Sequence, residues 1–543
     1  MDHNYIFVVG GVMSGVGKGT STAALGLLLR ARGYKVTAMK IDPYVNVDAG
    51  TMNPVEHGEV FVTRDGDETD QDIGNYERFL DIDITKKNYM TTGRIYLSVI
   101  ERERRGEYEG KCVEVVPRVP EEVIARIKTA AKEAKADFTL IEIGGTVGEY
   151  ENILFLEAVR MMQLHDPKRV KTVLVSYLPV PPSIGEMKTK PTQHAVREMN
   201  RTGLAPDFLI CRSELALDAP RKEKLSRFCG VAKEHIITAA NVRSIYEVPL
   251  AFEAQGFADS VLTAFGKRKK KPDLAPWEQF VETIGTSQKE VRIGVIGKYF
   301  STGDFLLSDA YLSVLEAIKH ASWAQHAKPV IEWLNAETYE KNPDALEELR
   351  SFDGILIPGG FGSRGIEGKI AAIRFVRKHR IPYFGICYGM QCAVIEFART
   401  ELGWSDANTE EINPKSTYPV IHLMQGQEEK LKGPGVGGTL RLGSYPCHLK
   451  EGSTAEKAYT QRAISERHRH RYEFNNAYKE DLESAGLEIS GVSPDGTLVE
   501  IVEVKDHPFF VGVQFHPEFQ SRPLSPHPLF RAFVKAAMER GRK

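Results

Sequence analysis

The sequence predicts an α/β protein of two doubly wound parallel-sheet domains. Three observations carry this. Apolar runs of strand length alternate with helical patterns twice along 543 residues. A glycine-rich loop, Gly10–Thr20, sits between a strand and a helix in the first half. In the second half, Gly385-Ile386-Cys387-Tyr388-Gly389 follows an apolar strand, with Gln514-Phe515-His516-Pro517-Glu518 beyond it.

The first alternation takes its strands from Tyr5–Val9, Lys35–Ile41, Phe138–Ile143, Lys171–Leu178, Asp207–Cys211 and His235–Thr238, with helical patterns at Thr22–Arg32 and Pro120–Ala134. A basic run, Lys267–Lys271, ends in Pro272 and breaks the pattern, as a solvated linker does; a nuclear address is the other reading of such a cluster. The second alternation begins at Val291–Gly297 and continues through Val330–Trp333, Gly354–Ile357, Tyr383–Ile386 and Phe509–Phe515. The expected domains are therefore 1–266 and 291–543, joined by a linker at 267–290.

Composition narrows the class. A net charge of −2 with 27% charged residues gives no global basic field for nucleic acid. Apolar stretches such as Thr172–Ile184 are short and interrupted, so a membrane span is not expected. The strand at Tyr5 leaves no room for a signal peptide, and six scattered cysteines without a C-x-x-C pair suit a reducing compartment, so a cytoplasmic location is expected.

Lys18 adds a full positive charge to the partial one of a helix N-terminus, which suits a nucleotide triphosphate. The loop departs from the usual phosphate-loop pattern at Val12 and Gly19, which leaves open whether Thr20 ligates magnesium. Phosphoryl transfer also needs carboxylates for Mg²⁺. Glu142 stands at a strand end before Gly144-Gly145, and Asp72 lies in an acidic tract that reads equally as solvated loop. Lys40 ends the second strand, and Lys188-Thr189-Lys190-Pro191-Thr192-Gln193 suits a second phosphorylated ligand or is an exposed loop.

Cys387 at a strand-to-helix elbow reads as a nucleophile, because a helix N-terminus favours negative charge there. His516 is its acid/base, Glu518 orients the imidazole, and Gly359-Gly360 offers unhindered N–H groups to an oxyanion. In Arg467–Glu473, a solvated face competes with an arginine fork for an α-carboxylate.

With both halves in view, nearly the whole chain resembles the CTP synthases, and its second half resembles class I glutamine amidotransferases. The runs Met39–Tyr44, Glu56–Val62, Thr91–Tyr96, Ile143–Gly148 and Lys188–Gln193 carry the resemblance, and the glycine after Lys18 is shared with that family. It implies an N-terminal synthetase domain that aminates UTP at C4 using ATP, Mg²⁺ and ammonia released from glutamine. Under it, Lys18 and Lys40 contact ATP phosphates and Asp72 and Glu142 hold Mg²⁺. Gly15, Val16, Gly17, Gly19, Thr20, Asp72 and Val242 belong to the ATP site. Ser14, Lys188–Gln193 and Lys224 bind UTP, with CTP competing, and Gly148-Glu149-Tyr150-Glu151 touches the CTP base.

In the second half the resemblance makes Gly360 an oxyanion donor and assigns the glutamine to Gly360, Tyr388, Gly389, Met390, Gln391, Glu411 and Arg471, with Glu410 a rival of Glu411. His57 and Val60 lie by an ammonia passage, and Gly437–Gly443, with Arg441, is a flexible lid where GTP activates. A homotetramer formed through the N-terminal domain is implied, and filaments occur in the family. The competing readings are another ATP-dependent amidotransferase, against which Thr91–Tyr96 and Lys188–Gln193 speak, and a protein that mainly polymerises.

Overall fold

The computed structural model describes residues 3–297, 301–302, 305–306, 308–427 and 437–541. They form two compact units, Met1–Ala49 with Asp72–Val281 and Gly50–Gln71 with Glu282–Lys543. The second unit thus takes in a stretch that the sequence division assigned to the first.

The first unit holds a seven-stranded parallel sheet. Its strands are β1 (Asn4–Gly10), β2 (Val36–Asp42), β3 (Tyr89–Thr91), β4 (Phe138–Ile143), β5 (Val170–Tyr177), β6 (Phe208–Ser213) and β7 (Ile236–Ala240). They lie in the order β3-β2-β4-β1-β5-β6-β7. β1, β2 and β4 are buried along their whole length, which is why they read as unbroken apolar runs. The expected linker is partly structured: helix Ala275–Thr286 puts Trp277 against Phe79 and Tyr246, with its Nε1 donating to the Tyr246 carbonyl at 2.9 Å.

The second unit holds a nine-stranded sheet of β8 (Lys289–Gly297), β9 (Ala327–Asn335), β10 (Gly354–Ile357), β11 (Tyr383–Ile386), β12 (Arg441–Leu449), β13 (Ala463–His470), β14 (Leu487–Val492), β15 (Val499–Val504) and β16 (Phe510–Val513). The order is β9-β8-β10-β11-β16-β15-β14-β12-β13. The first five are parallel; β15, β14, β12 and β13 continue as an antiparallel wing that the sequence reading did not anticipate. Each face of the sheet has its own core. Ile355 and Ile357 pack toward helices Ile366–Lys378 and Tyr388–Glu401, while Leu356 packs toward Leu312–Trp323 and Pro528–Arg540. Among the described residues no helix is long and apolar enough to cross a membrane.

Candidate functional site

In the first unit the chemistry gathers at the carboxyl edge of the sheet, where strand order reverses around β4 and β1. Sheet register sets Lys40 beside Glu142 on adjacent strands. The Lys40 ammonium lies 3.0 Å from Glu142, forms a short ion pair with Asp72 and is 3.8 Å from Asp42. Tyr76, one helical turn after Asp72, donates to the other Glu142 oxygen, and Tyr89 donates to Asp42 at 3.0 Å. Lys18 is buried and donates to the Gly145 carbonyl at 3.0 Å. Burial, then the neighbouring Asp72, pushes the Glu142 carboxyl up to about 7 against the pull of Lys40 and Lys18; burial likewise raises Asp42. Burial lowers the Lys18 amine more than Glu142 raises it.

Gly19 has a specific reason to be glycine. A Cβ there would lie 2.0 Å from the Asp72 Oδ1, so the carboxylate rests on the bare backbone of the loop. The oxygen-rich pair of Asp72 and Glu142 suits a hard cation such as Mg²⁺.

The other residues expected to bind nucleotides divide into groups. Gly15, Gly17, Thr20 and Val242 line one cavity of about 240 Å³ with Arg212 and Phe252; Val16, within the loop, is buried. A Cβ at Gly11 would meet Ala195 at 2.6 Å, so helix Lys190–Arg201 lies against the loop, and Gly148 neighbours Glu198. Thr192 and Gln193 are buried there, bonded to Ser176 and Thr189, with Pro191 half-buried. Ser14, Lys190, Lys224, Tyr150 and Glu151 are exposed. Lys188 pairs with Glu186 at 2.6 Å, and Glu149 accepts from Thr146 at 2.7 Å. Asp42, Tyr76 and Tyr89 are members of the charged cluster that sequence reasoning missed; the i, i+4 spacing of Asp72 and Tyr76 was the available signal.

In the second unit, β11 delivers Cys387 to a tight elbow with φ 50° and ψ −99°, a strained position for a side-chain-bearing residue. The elbow closes because Gly389 packs on β10: a Cβ there would be 2.2 Å from the Ile357 carbonyl oxygen. β16 leads to His516, whose Nδ1 lies 2.7 Å from Glu518 Oε1. Burial opposes charge on the imidazole, yet Glu518 and then Cys387 raise His516 from 6.5 to about 10. Phe519 stacks on the ring at 5.2 Å. A Cβ at Gly359 would be 2.8 Å from His516 Cε1 and 3.7 Å from Cys387 Cβ, so the glycine turn passes directly over both groups.

Cys387, His516, Glu518, Gly360 and Arg471 line one cavity of about 380 Å³. Val60 joins that lining; His57 lies 3.8 Å from Asp70. Tyr388, Gly389, Met390 and Gln391 form a buried supporting wall. The Tyr388 hydroxyl donates to the Gly362 carbonyl at 2.9 Å, and the Gln391 amide donates to the Tyr472 carbonyl at 2.9 Å. Glu411 accepts from the Gly362 N–H at 2.7 Å, next to the Gly359-Gly360 turn, whereas Glu410 accepts from the Leu423 N–H. Of the two rivals, Glu411 is the one at the turn.

Arg441, expected in the lid segment, opens β12. Its guanidinium is buried 2.9 Å from Glu500 and stacks at 4.4 Å on Tyr445, because it opens a strand of the wing. Leu440, one residue earlier, does line the cavity.

Comparison with known proteins adds the family. Residues 4–266 match the model described as CTP synthase N-terminus, and residues 306–536 match glutamine amidotransferase class-I. A CTP synthase of Nostoc punctiforme is 50% identical over 535 residues, covering 98% of this chain and 96% of that relative. One from Symbiobacterium thermophilum is 51% identical over 540 residues, covering 98% of each. The chain belongs to the CTP synthase family. It is an enzyme, a ligase whose synthetase part is joined to a glutamine amidotransferase. A solved Trypanosoma brucei CTPS glutaminase domain with bound acivicin is 42% identical, covering 46% of this chain and 94% of that chain, with a TM-score of 0.43.

Proposed function

We propose that this chain converts UTP to CTP with ATP, using ammonia that Cys387 releases from glutamine. The observation that carries the reading is the presence, in one chain of this family, of two chemically distinct buried centres: the Lys18–Lys40–Asp72–Glu142 cluster and the Cys387–His516–Glu518 constellation.

In the glutaminase centre, Cys387 attacks the side-chain amide carbonyl to form a γ-glutamyl thioester. His516, oriented by Glu518, passes the thiol proton to the leaving nitrogen and later activates water. The N–H of Gly360 faces the oxyanion, Arg471 meets the α-carboxylate and Glu411 the α-ammonium. In the synthetase centre, Lys18 and Lys40 stabilise charge on the phosphoryl group moving from ATP to the uracil O4, and ammonia then displaces phosphate at C4. Asp72 and Glu142 are the residues that would hold Mg²⁺, which neutralises phosphate charge when bound. The cavity containing Val242 suits the ATP base, and Ser14, Lys188–Gln193 and Lys224 the UTP phosphates. CTP is proposed to compete with UTP, its base against Gly148–Glu151.

Neutral ammonia passing by His57 and Val60 escapes protonation in bulk water. GTP is proposed to activate at Gly437–Gly443, with Arg441 anchoring that segment through Glu500. The protein is proposed to be a cytoplasmic homotetramer.

CTP formation from UTP, ATP and Mg²⁺, followed in parallel with glutamine and with ammonium chloride, tests the reading. Both nitrogen sources are expected to yield CTP; glutamine hydrolysis without CTP from either would overturn the UTP assignment. A second expectation isolates the synthetase centre. Gly19→Ala drives a methyl into Asp72, and CTP formation from either source is expected to fall by about 100-fold, the scale for ångström-sized misplacement of a catalytic group. Glutamine hydrolysis by the same variant serves as the control for folding.

A further inference from the structure

Residues 50–71 lie more than 300 positions before Cys387 in sequence, yet three contacts tie them to the rest of the second unit. Glu59 accepts from the Ser313 N–H at 3.0 Å, where helix Leu312–Trp323 begins. Arg467, fully buried, donates to the Val62 carbonyl at 3.1 Å. Arg469 Nε donates to Glu68 Oε1 at 2.8 Å.

The third contact differs from the other two by what else its arginine touches. The Arg469 carbonyl accepts from Cys387 Sγ at 3.9 Å, and its guanidinium lies 5.3 Å from the Phe361 ring centroid, one residue after Gly360. Glu68 and Arg469 line the same cavity as Cys387 and His516. Glu68 is 3% exposed and lies so close to Gly50 that a Cβ there would be 2.1 Å from its Oε2. A carboxylate buried this deeply is costly without a cationic partner, and losing one member of such a pair leaves the other stranded.

We propose that the Glu68–Arg469 ion pair is a positioning device for glutamine hydrolysis. It holds the Arg469 carbonyl against the nucleophilic sulfur and Phe361 beside the oxyanion turn. The glutaminase centre is therefore completed by residues 50–71, which lie outside the stretch matched to the amidotransferase family. This rests on reading Cys387 as the nucleophile.

The test compares Glu68→Gln, Glu68→Asp and Arg469→Gln with the native full-length chain and a Cys387→Ser control. Three assays are run: glutamine hydrolysis for kcat and KM, the pH profile of Cys387 alkylation by iodoacetamide, and CTP formation from ammonium chloride. Glu68→Gln keeps the volume and removes the charge. It is expected to lower kcat by about tenfold or more with KM within about threefold, the pattern of lost transition-state alignment. Its alkylation profile is expected to shift, while ammonium-dependent synthesis persists. Glu68→Asp, which keeps the charge, is expected to recover part of the loss, and Arg469→Gln, which removes the other charge, to show the same loss as Glu68→Gln. Native kcat and alkylation in Glu68→Gln, beside an inactive Cys387→Ser, would overturn the positioning role. Should Glu68→Gln not fold, native kcat and alkylation in Arg469→Gln would overturn it equally. Hydrolysis persisting in Cys387→Ser would instead overturn the reading of the nucleophile.

Discussion

Cys387→Ala is expected to abolish CTP formation from glutamine and to leave formation from ammonium chloride within about twofold of the native rate. The loss should reach three to four orders of magnitude or more, as expected when a covalent nucleophile is removed and only binding and oxyanion contacts remain, roughly 10³–10⁶ in kcat. Its asymmetry follows from placement. Cys387 is buried in the second unit, lining its cavity with His516 and Gly360, while the charged cluster of Lys18, Lys40, Asp72 and Glu142 belongs to the first. Removing the sulfur also removes a group that helps to hold a proton on His516. It leaves the elbow backbone, shaped by Gly389 against β10, intact. Parallel initial-rate assays with the two nitrogen sources check this. Equal loss from both sources would mean that the substitution disturbs the synthetase centre or the fold. Unchanged glutamine-dependent synthesis would remove Cys387 from the mechanism.

Lys18→Met is expected to produce the opposite asymmetry. CTP formation should fall by about 10²–10³ with either nitrogen source, the scale for removing one preorganised charge that stabilises a transition state. Glutamine hydrolysis should survive. Methionine preserves much of the buried stem of Lys18 while deleting its ammonium, including the bond to the Gly145 carbonyl. The expected loss is therefore electrostatic. Lys40 is less suitable for this test because its ammonium pairs with both Asp72 and Glu142, and its removal would leave two neighbouring carboxylates without that shared counter-charge. Measuring glutaminase and synthetase rates on the same Lys18→Met preparation separates the two centres. Near-native CTP formation would show that the loop does not carry the transferring phosphoryl group.

Much of the fold was legible because strand burial leaves a local trace. Phe138–Ile143, Gly354–Ile357 and Tyr383–Ile386 have the limits that their apolar runs suggested, since these strands are buried along their whole length. The wing strands were not legible for the converse reason. In β13 the Arg-His-Arg-His run reads as a solvated face. In the structure Arg467 reaches Val62 and Phe61, Arg469 reaches Glu68, and His468 and His470 lie by Arg441. The alternation is a strand's, but its polar residues are buried by partners far away in sequence.

By itself the sequence determined the local chemistry: a lysine at a helix start after a glycine loop, a cysteine at a strand-to-helix turn, and a histidine with a carboxylate two residues on. Such features are set by adjacent residues, so spacing suffices to find them. Only the tertiary structure decided which distant groups face one another. It set Glu142 beside Lys40 through sheet register, laid Asp72 against the bare backbone of Gly19, buried Arg441 on Glu500, and placed residues 50–71 with the unit that contains Cys387. These pairings arise when buried charges must find partners within a packed interior, and that requirement is met across space, with no periodicity along the chain to record it.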